Sequence, residues 1–329
     1  MRQEMIFSAI GDISDDLILD AEISSFALPN TIRLFRWKRL VAACLIIVMF
    51  AVPVSAEMIN GYVSNLLAPL YGCAQTEIVD KIGKPIGASV IVDDYKLTAD
   101  AIIGDQYSVA IVYSLSRIDG NPLEEGLTFQ VYSNSLKTNG GASYSQFLSE
   151  DKMVLNIVEK WVGTNELLFN RNVQITFSNL IIEQGNKAEA TIVQQGNWDL
   201  RFCLRYENTS SQINMNEFTV TDSSAISYQI NKIFISPVGI HMDMTVPNPH
   251  LNGIDISRQF EDFYISLVLN TGERIDIKDR NLGYNGNLDD EYLDGDYTAL
   301  FTIPLDISTI REILICEKSV PIADMPTRQ

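Results

Sequence analysis

Lys96-Leu97-Thr98-Ala99-Asp100-Ala101-Ile102-Ile103, a break at Gly104-Asp105, and a second run from Tyr107 to Leu115 decide how this chain folds. Both runs are rich in β-forming residues, and the Gly-Asp between them is turn punctuation, so the stretch reads as strand, turn, strand. Working outward, Ser89-Val90-Ile91-Val92 precedes it and Asp119-Gly120-Asn121-Pro122 closes it. The pattern then continues through Leu127 to Tyr132, Met153 to Val158, Val173 to Ile182, Ala188 to Val193 and Trp198 to Tyr206. About eight short strands at turn-punctuated intervals, the last bearing a Trp, predict a β-sandwich over residues 84–206.

The polar stretch Glu207-Asn208-Thr209-Ser210-Ser211-Gln212 reads as a linker, taken as residues 207–216. A second set of strands follows at Glu217 to Val220, Ala225 to Ile235, Gly239 to Thr245, Phe263 to Leu269, Arg274 to Ile277, Tyr297 to Phe301 and Glu312 to Cys316. It predicts a second sandwich over residues 217–325, with a hairpin turn at Asn270-Thr271-Gly272-Glu273 and a single helical turn at Leu305 to Ile310. Upstream, Glu57 to about Leu70 and Gln75 to Ile82 read as helical, giving a stalk over residues 57–83.

Leu40 to Ala56 is an apolar run that at about 1.5 Å per residue extends roughly 25 Å, within the range of a spanning helix. Arg33, Arg36, Lys38 and Arg39 crowd its N-terminal side, and no Lys or Arg follows until Lys81. Positive charge stays on the cytoplasmic side, so residues 1–39 are expected inside and everything after Ala56 outside. A cleaved secretory signal is the alternative, because Val54-Ser55-Ala56 has the small-residue form of a cleavage site. The long region before the run favours the anchor.

In that region Ile6, Ile10, Ile13, Leu17, Ile18 and Ala21 recur at helical spacing, with Gly11 and Ser14 separating two short helices. Helices this short are marginal alone, so the stripe calls for a partner. Asp12, Asp15, Asp16, Asp20 and Glu22 disfavour the anionic inner leaflet and favour a basic protein, such as a sigma factor.

The whole chain carries 24 basic and 42 acidic residues. Only 5 and 6 of these fall in residues 1–39, so the exported part is strongly acidic and direct nucleic acid binding is disfavoured. Cys44 lies in the apolar run, leaving Cys73, Cys203 and Cys316. A Cys73–Cys203 disulfide is possible on this count, while an odd number favours thiols.

Signs of chemistry are sparse. Ser149-Glu150-Asp151-Lys152 fits a Ser-x-x-Lys spacing but stands before a strand and lacks companion motifs. His241 and His250 are the two histidines; His241-Met242-Asp243 lacks a third metal ligand and reads as a surface or turn histidine. The stretch Asn281 to Asp296 is acidic enough for Ca²⁺ but departs from the twelve-residue calcium loop, so it reads as a solvated loop. No catalytic, cofactor-binding or metal-binding residue is assigned, no cofactor is expected, and an enzyme is disfavoured.

Phe7 to Ile18 before a basic-flanked apolar run, then Ile82-Gly83-Lys84-Pro85-Ile86-Gly87-Ala88-Ser89 leading to Ala101-Ile102-Ile103-Gly104-Asp105, resemble the bacterial membrane-anchored family known as domain of unknown function 4179. Ile235-Ser236-Pro237-Val238-Gly239-Ile240 and Ile303-Pro304-Leu305-Asp306 resemble a second uncharacterised β domain that often follows it. The resemblance implies an anti-sigma-factor-like, single-pass envelope protein with an immunoglobulin-like exported domain, the N-terminus in the cytoplasm and the C-terminus outside.

The sequence therefore points to a mainly β protein with two tandem exported sandwiches, a transmembrane helix and a short helical cytoplasmic tail. Its expected role is a regulator or sensor coupling an external ligand or envelope protein to a cytoplasmic partner. A membrane-anchored or secreted cell-surface binding module without signalling is the alternative. Detergent extraction followed by N-terminal sequencing is expected to return an intact chain; a chain beginning at Glu57 would show that the run is a cleaved signal.

Overall fold

A computed structural model describes residues 61–72, 76–135, 140–163, 170–183, 190–253, 260–277, 280–285 and 290–321. The tail stripe from Ile6 to Ala21, the basic cluster Arg33, Arg36, Lys38 and Arg39, and the Leu40 to Ala56 run lie outside the described residues. Among those described, no helix is long and apolar enough to cross a membrane. The described chain is mainly β, in antiparallel sheets.

In chain order the first eight strands are β1 (Lys84–Val92), β2 (Tyr95–Gly104), β3 (Ser108–Arg117), β4 (Leu127–Asn134), β5 (Gly140–Leu148), β6 (Leu155–Gly163), β7 (Asn172–Glu183) and β8 (Ala190–Cys203). They form a five-stranded sheet ordered β1-β2-β3-β6-β5 and a three-stranded sheet ordered β4-β7-β8. Tyr95, Leu97 and Ala99 alternate with Lys96, Thr98 and Asp100 along β2, which turns one face toward a core shared with Phe129, Phe177 and Trp198 of the other sheet. From Ala101 onward the alternation stops and Ala101-Ile102-Ile103-Gly104 is buried throughout. The reason is a third layer.

Helices α1 (Tyr62–Leu66), α2 (Ala68–Tyr71) and α3 (Thr76–Ile82) lie on the outer face, where Val63, Leu67, Tyr71, Val79 and Ile82 cluster with Ala101, Ile103, Ala110, Val112 and Val158. Such short helices gain their stability from this packing rather than from propensity. The Asp80 carboxylate accepts from the backbone N–H groups of Gly61 (2.6 Å) and Ser64 (2.7 Å), tying the start of α1 to α3. The described part of the segment expected as a stalk is thus a packed layer of the fold.

The later strands are β9 (Ser211–Thr221), β10 (Ser227–Ile235), β11 (Gly239–Pro247), β12 (Ile265–Leu269), β13 (Arg274–Asp276), β14 (Arg280–Asn285), β15 (Tyr292–Leu300), β16 (Ile310–Ile315) and β17 (Lys318–Pro321). A five-stranded sheet ordered β14-β15-β11-β10-β9 and a four-stranded sheet ordered β13-β12-β16-β17 enclose a second core. Ile240, Met242, Met244 and Val246 of β11 point into it beside Tyr228, Phe263 and Tyr297.

Several expectations need correction. The supposed linker is largely β9, which pairs Ser211, Gln212, Ile213 and Asn214 with Ile235, Phe234, Ile233 and Lys232. An edge strand exposes alternate side chains, and that polar half imitated a loop. The described ends of the supposed acidic loop are paired antiparallel strands, with Leu282 opposite Tyr297 and Asn285 opposite Asp294. Its acids Asp294 and Asp296 alternate with the inward Leu293, Gly295 and Tyr297. Ala190 to Val193 and Trp198 to Cys203, expected in two strands, belong to one, β8, and the Gly- and Ser-rich β5 was not read as a strand. The hairpin turn at Asn270 to Glu273 joins β12 to β13, and Ile307–Thr309 forms a single 3-10 turn, both as expected. Cys203 is a thiol, while Cys73 lies outside the described residues.

One carboxyl sits in the first core. Glu159 of β6 is buried beside Tyr113, whose hydroxyl donates to it at 2.5 Å, and the Trp161 indole N–H also donates to it. Burial pushes this carboxyl up to about 8, against an ordinary value of 4.5. A group raised on folding favours the native state fully below its unfolded value and loses that contribution as pH climbs through its folded one. Urea unfolding midpoints are therefore expected to fall between about pH 4.5 and about pH 8, and Glu159→Gln is expected to flatten that slope.

Candidate functional site at the joint between the sheet pairs

The β2–β3 turn and the β10–β11 turn meet. Asp105, 5% exposed, accepts at Oδ1 from the backbone N–H groups of Tyr107 (2.9 Å) and Ser108 (2.8 Å) and from the Ser108 hydroxyl (2.9 Å). At Oδ2 it accepts from the Ser236 hydroxyl at 2.6 Å, a bond across 131 positions of sequence. Ser236 Oγ in turn accepts from the backbone N–H groups of Val238 (3.1 Å) and Gly239 (3.0 Å). Every oxygen of the carboxylate is engaged, which offsets much of its desolvation.

Two glycines fit the crowded backbone of the turns themselves. A Cβ on Gly239 would stand 2.5 Å from the Ala299 carbonyl oxygen, and one on Gly104 would stand 2.7 Å from that of Ser108. Val238, fully buried, completes the seal by joining Val63, Leu67 and Ala101 in the helix layer. The stretches around Gly104-Asp105 and Ser236 to Gly239, singled out separately in the sequence, form the two sides of this contact.

Beside it lies His241. It faces away from the second core, yet it is only 2% exposed, because Tyr107 stacks on the imidazole with ring centroids 3.6 Å apart. Phe234 packs against Tyr107 at 4.9 Å. This corrects the expectation of a surface histidine: its exposed-strand position is covered by the other sheet pair. His241 Nδ1 contacts Thr298 Oγ1 at 2.7 Å and Nε2 contacts Asp243 Oδ1 at 3.0 Å. Asp243 also approaches Lys232 Nζ at 3.8 Å, and Asp296 stands opposite Asp243 in the ladder. Burial raises the Asp296 carboxyl, with the His241 ring opposing and Asp243 adding to the rise. Burial, then Asp243 and Asp105, push the Tyr107 hydroxyl up to about 12.

Hydroxyl, imidazole and carboxylate in a row have the composition of a hydrolytic triad. The Thr298 hydroxyl, however, is in a residue 1% exposed, under a ring capped by Tyr107, so no face is open to a reacting carbonyl. What this arrangement does is hold two sheets together and make their contact depend on the ring. Ser149-Glu150-Asp151-Lys152 is a surface turn: Ser149 donates to Asp151 at 2.7 Å and Lys152 pairs with Glu125 at 2.5 Å. Among the described residues no group of three or more potential ligands could hold a metal ion.

None of the joint residues was singled out as a site residue from sequence. The usable signal was Gly-Asp followed two and three positions later by backbone donors, an Asx-type turn, and a Ser-Pro-x-Gly turn far downstream. Asp105→Ala should lower unfolding free energy by about 3 kcal/mol or more, and Ser236→Ala by about 1.5–3 kcal/mol. In urea titrations the double variant should fall well short of the sum, since both remove one bond.

No protein-family model matches the chain, and no curated protein matches it. A solved structure described as "The crystal structure of the conserved domain protein from Bacillus anthracis" is similar at a TM-score of 0.51 and 14% identity, over 75% of this chain and 79% of that one. The likeness is one of fold.

Proposed function

We propose that this chain is a single-pass envelope protein related to the domain of unknown function 4179 family, in which two immunoglobulin-like sandwiches form an external sensor and the cytoplasmic tail holds a sigma factor or another basic protein. The observation that carries the reading is the anchoring of α1 to α3. The described chain begins at Gly61, bonded to Asp80, and within a few residues Val63 and Leu67 are packed with Val238 of the second sheet pair. From Gly61 onward the described chain is therefore packed on the fold. A ligand that shifts one sheet pair against the other would strain the helices at once, and through them the chain leading to the apolar run.

In this mechanism Ile6, Ile10, Ile13, Leu17, Ile18 and Ala21 bind the inside partner, and release or proteolysis near the membrane follows the external event. Arg33, Arg36, Lys38 and Arg39 hold the orientation. The tail of the full-length protein is expected to co-purify with a sigma factor, and Leu17→Asp with Ile18→Asp to abolish that; no sigma factor bound with both residues intact would end the regulatory reading.

A second reading, a surface binding module without signalling, has one observation in its favour. An open groove of about 660 Å³ runs along the second sheet pair, lined by Leu269, Ile275, Ile277, Phe301, Ile303 and Leu305, with Glu273 and Asp276 at its margin. Deleting residues 1–32 separates the two readings, because a purely external binder keeps its phenotype and a regulator loses it.

A further inference from the structure

A strand at the edge of a sheet offers a row of backbone donors and acceptors to any strand that arrives, and natural edges are blunted against this. Most edges here obey. β1 carries Lys84 and Pro85 and a bulge between Pro85 and Ala88; β13 spans three residues, two of them Arg274 and Asp276; β17 carries Lys318 and Pro321. On one side of the first sheet pair the layers are also closed, since β1 and β8 meet through Gln194 on Asp93 (2.6 Å) and the Trp198 indole N–H donates to the Tyr95 carbonyl at 3.3 Å.

On the opposite side the layers also meet, through the Phe129 N–H donating to Gln146 Oε1 (3.2 Å) and Tyr144 against Tyr132 (ring centroids 5.2 Å apart), but the edge strand itself is not blunted. β5, Gly140-Gly141-Ala142-Ser143-Tyr144-Ser145-Gln146-Phe147-Leu148, has no charge and no proline, and it pairs with β6 from Gly140 to Leu148 without a bulge. No described strand pairs with its outer edge. Tyr144 (45%) and Phe147 (42%) are exposed there, and Val131 (50%) is exposed on the adjacent uncharged strand β4. In a chain with 42 acidic residues, this side wall of β4 and β5 has none.

We propose that β5 pairs antiparallel with β5 of a second copy of this chain, about a twofold axis at Tyr144. Charge selects the occupant: a basic strand would be matched by acids along the edge, and two copies meeting elsewhere would bring acidic surfaces together. Shape selects the register. With Tyr144 opposite its own equivalent, Leu148 faces Gly140, Phe147 faces Gly141, Gln146 faces Ala142 and Ser145 faces Ser143. Away from the axis Leu148, Phe147 and Gln146 each meet a small residue, on the axis the two Tyr144 rings meet each other, and residues opposite each other share a face, as antiparallel pairing requires. A twofold interface must be self-complementary in this way. The two five-stranded sheets become one sheet of about ten strands, within the size range of open sheets. This inference stands apart from the signalling proposal: tail and sigma factor play no part in it.

The test uses full-length protein in detergent. Sedimentation equilibrium is expected to give a dimer. Ser143→Lys with Ser145→Lys places lysines opposite lysines at exposed positions and is expected to give a monomer with the wild-type unfolding midpoint; Ser143→Glu with Ser145→Glu should do the same. Mixing the two variants should restore a dimer, since each lysine then faces a glutamate. A monomeric wild type at all concentrations, a dimer that survives the lysines, or a mixture that stays monomeric would each overturn the proposal.

Discussion

A carboxylate taken out of water between two sheets costs several kcal/mol unless its oxygens find donors, and the desolvated charge then becomes a constraint on everything that supplies them. Asp105 imposes that constraint here. Three of its four donors come from its own turn, but the fourth is the Ser236 hydroxyl of the other sheet pair. Placing that hydroxyl requires the β10–β11 turn to come down on the first sheet, which buries Val238 and covers His241. The helix layer depends on the same contact through Val63 and Leu67. Residues 59–329 accordingly form one compact unit, although they contain two separate cores.

The mainly β architecture was legible where strands are half buried or central. Alternation along Lys96 to Asp100 and the shift to continuous apolar residues at Ala101-Ile102-Ile103 record, respectively, a strand with one wet face and a strand with two dry ones. Edge strands were legible only in part: β1, β4 and β13 were read, but β5 and the first half of β9 were not. β9 and β5 keep few apolar side chains because their outer faces and edges meet solvent, and composition then cannot separate them from loops. The stalk was misread for a related reason: Val63, Leu67 and Tyr71 are apolar because a sheet lies beneath them, and helical period alone does not say what a face packs against.

The joint illustrates a further limit. Asp105, Tyr107, Ser236, His241 and Thr298 come from three separate stretches, and the turn signals at Asp105 and Ser236 do not say that the turns meet. Their meaning depends on a docking that periodicity does not report. The His241 row also shows how residue type can mislead once contacts are known, since the same three functional groups that activate a nucleophile in an open cleft serve here as a cross-strand bond, with Thr298 directly opposite His241 in the ladder. Access decides between those uses.

The Val238 insertion has a consequence for how such a protein can arise and vary. β-sheet pairs are commonly traded between proteins as interchangeable beads on a string, each closed on itself. Here neither bead is closed. Cut apart, the first would show an apolar notch between Leu67 and Ala101, and the second would show a bare Val238, Phe234 and imidazole. With these residues, a duplication or fusion that carried only one would deliver a sticky fragment rather than a module.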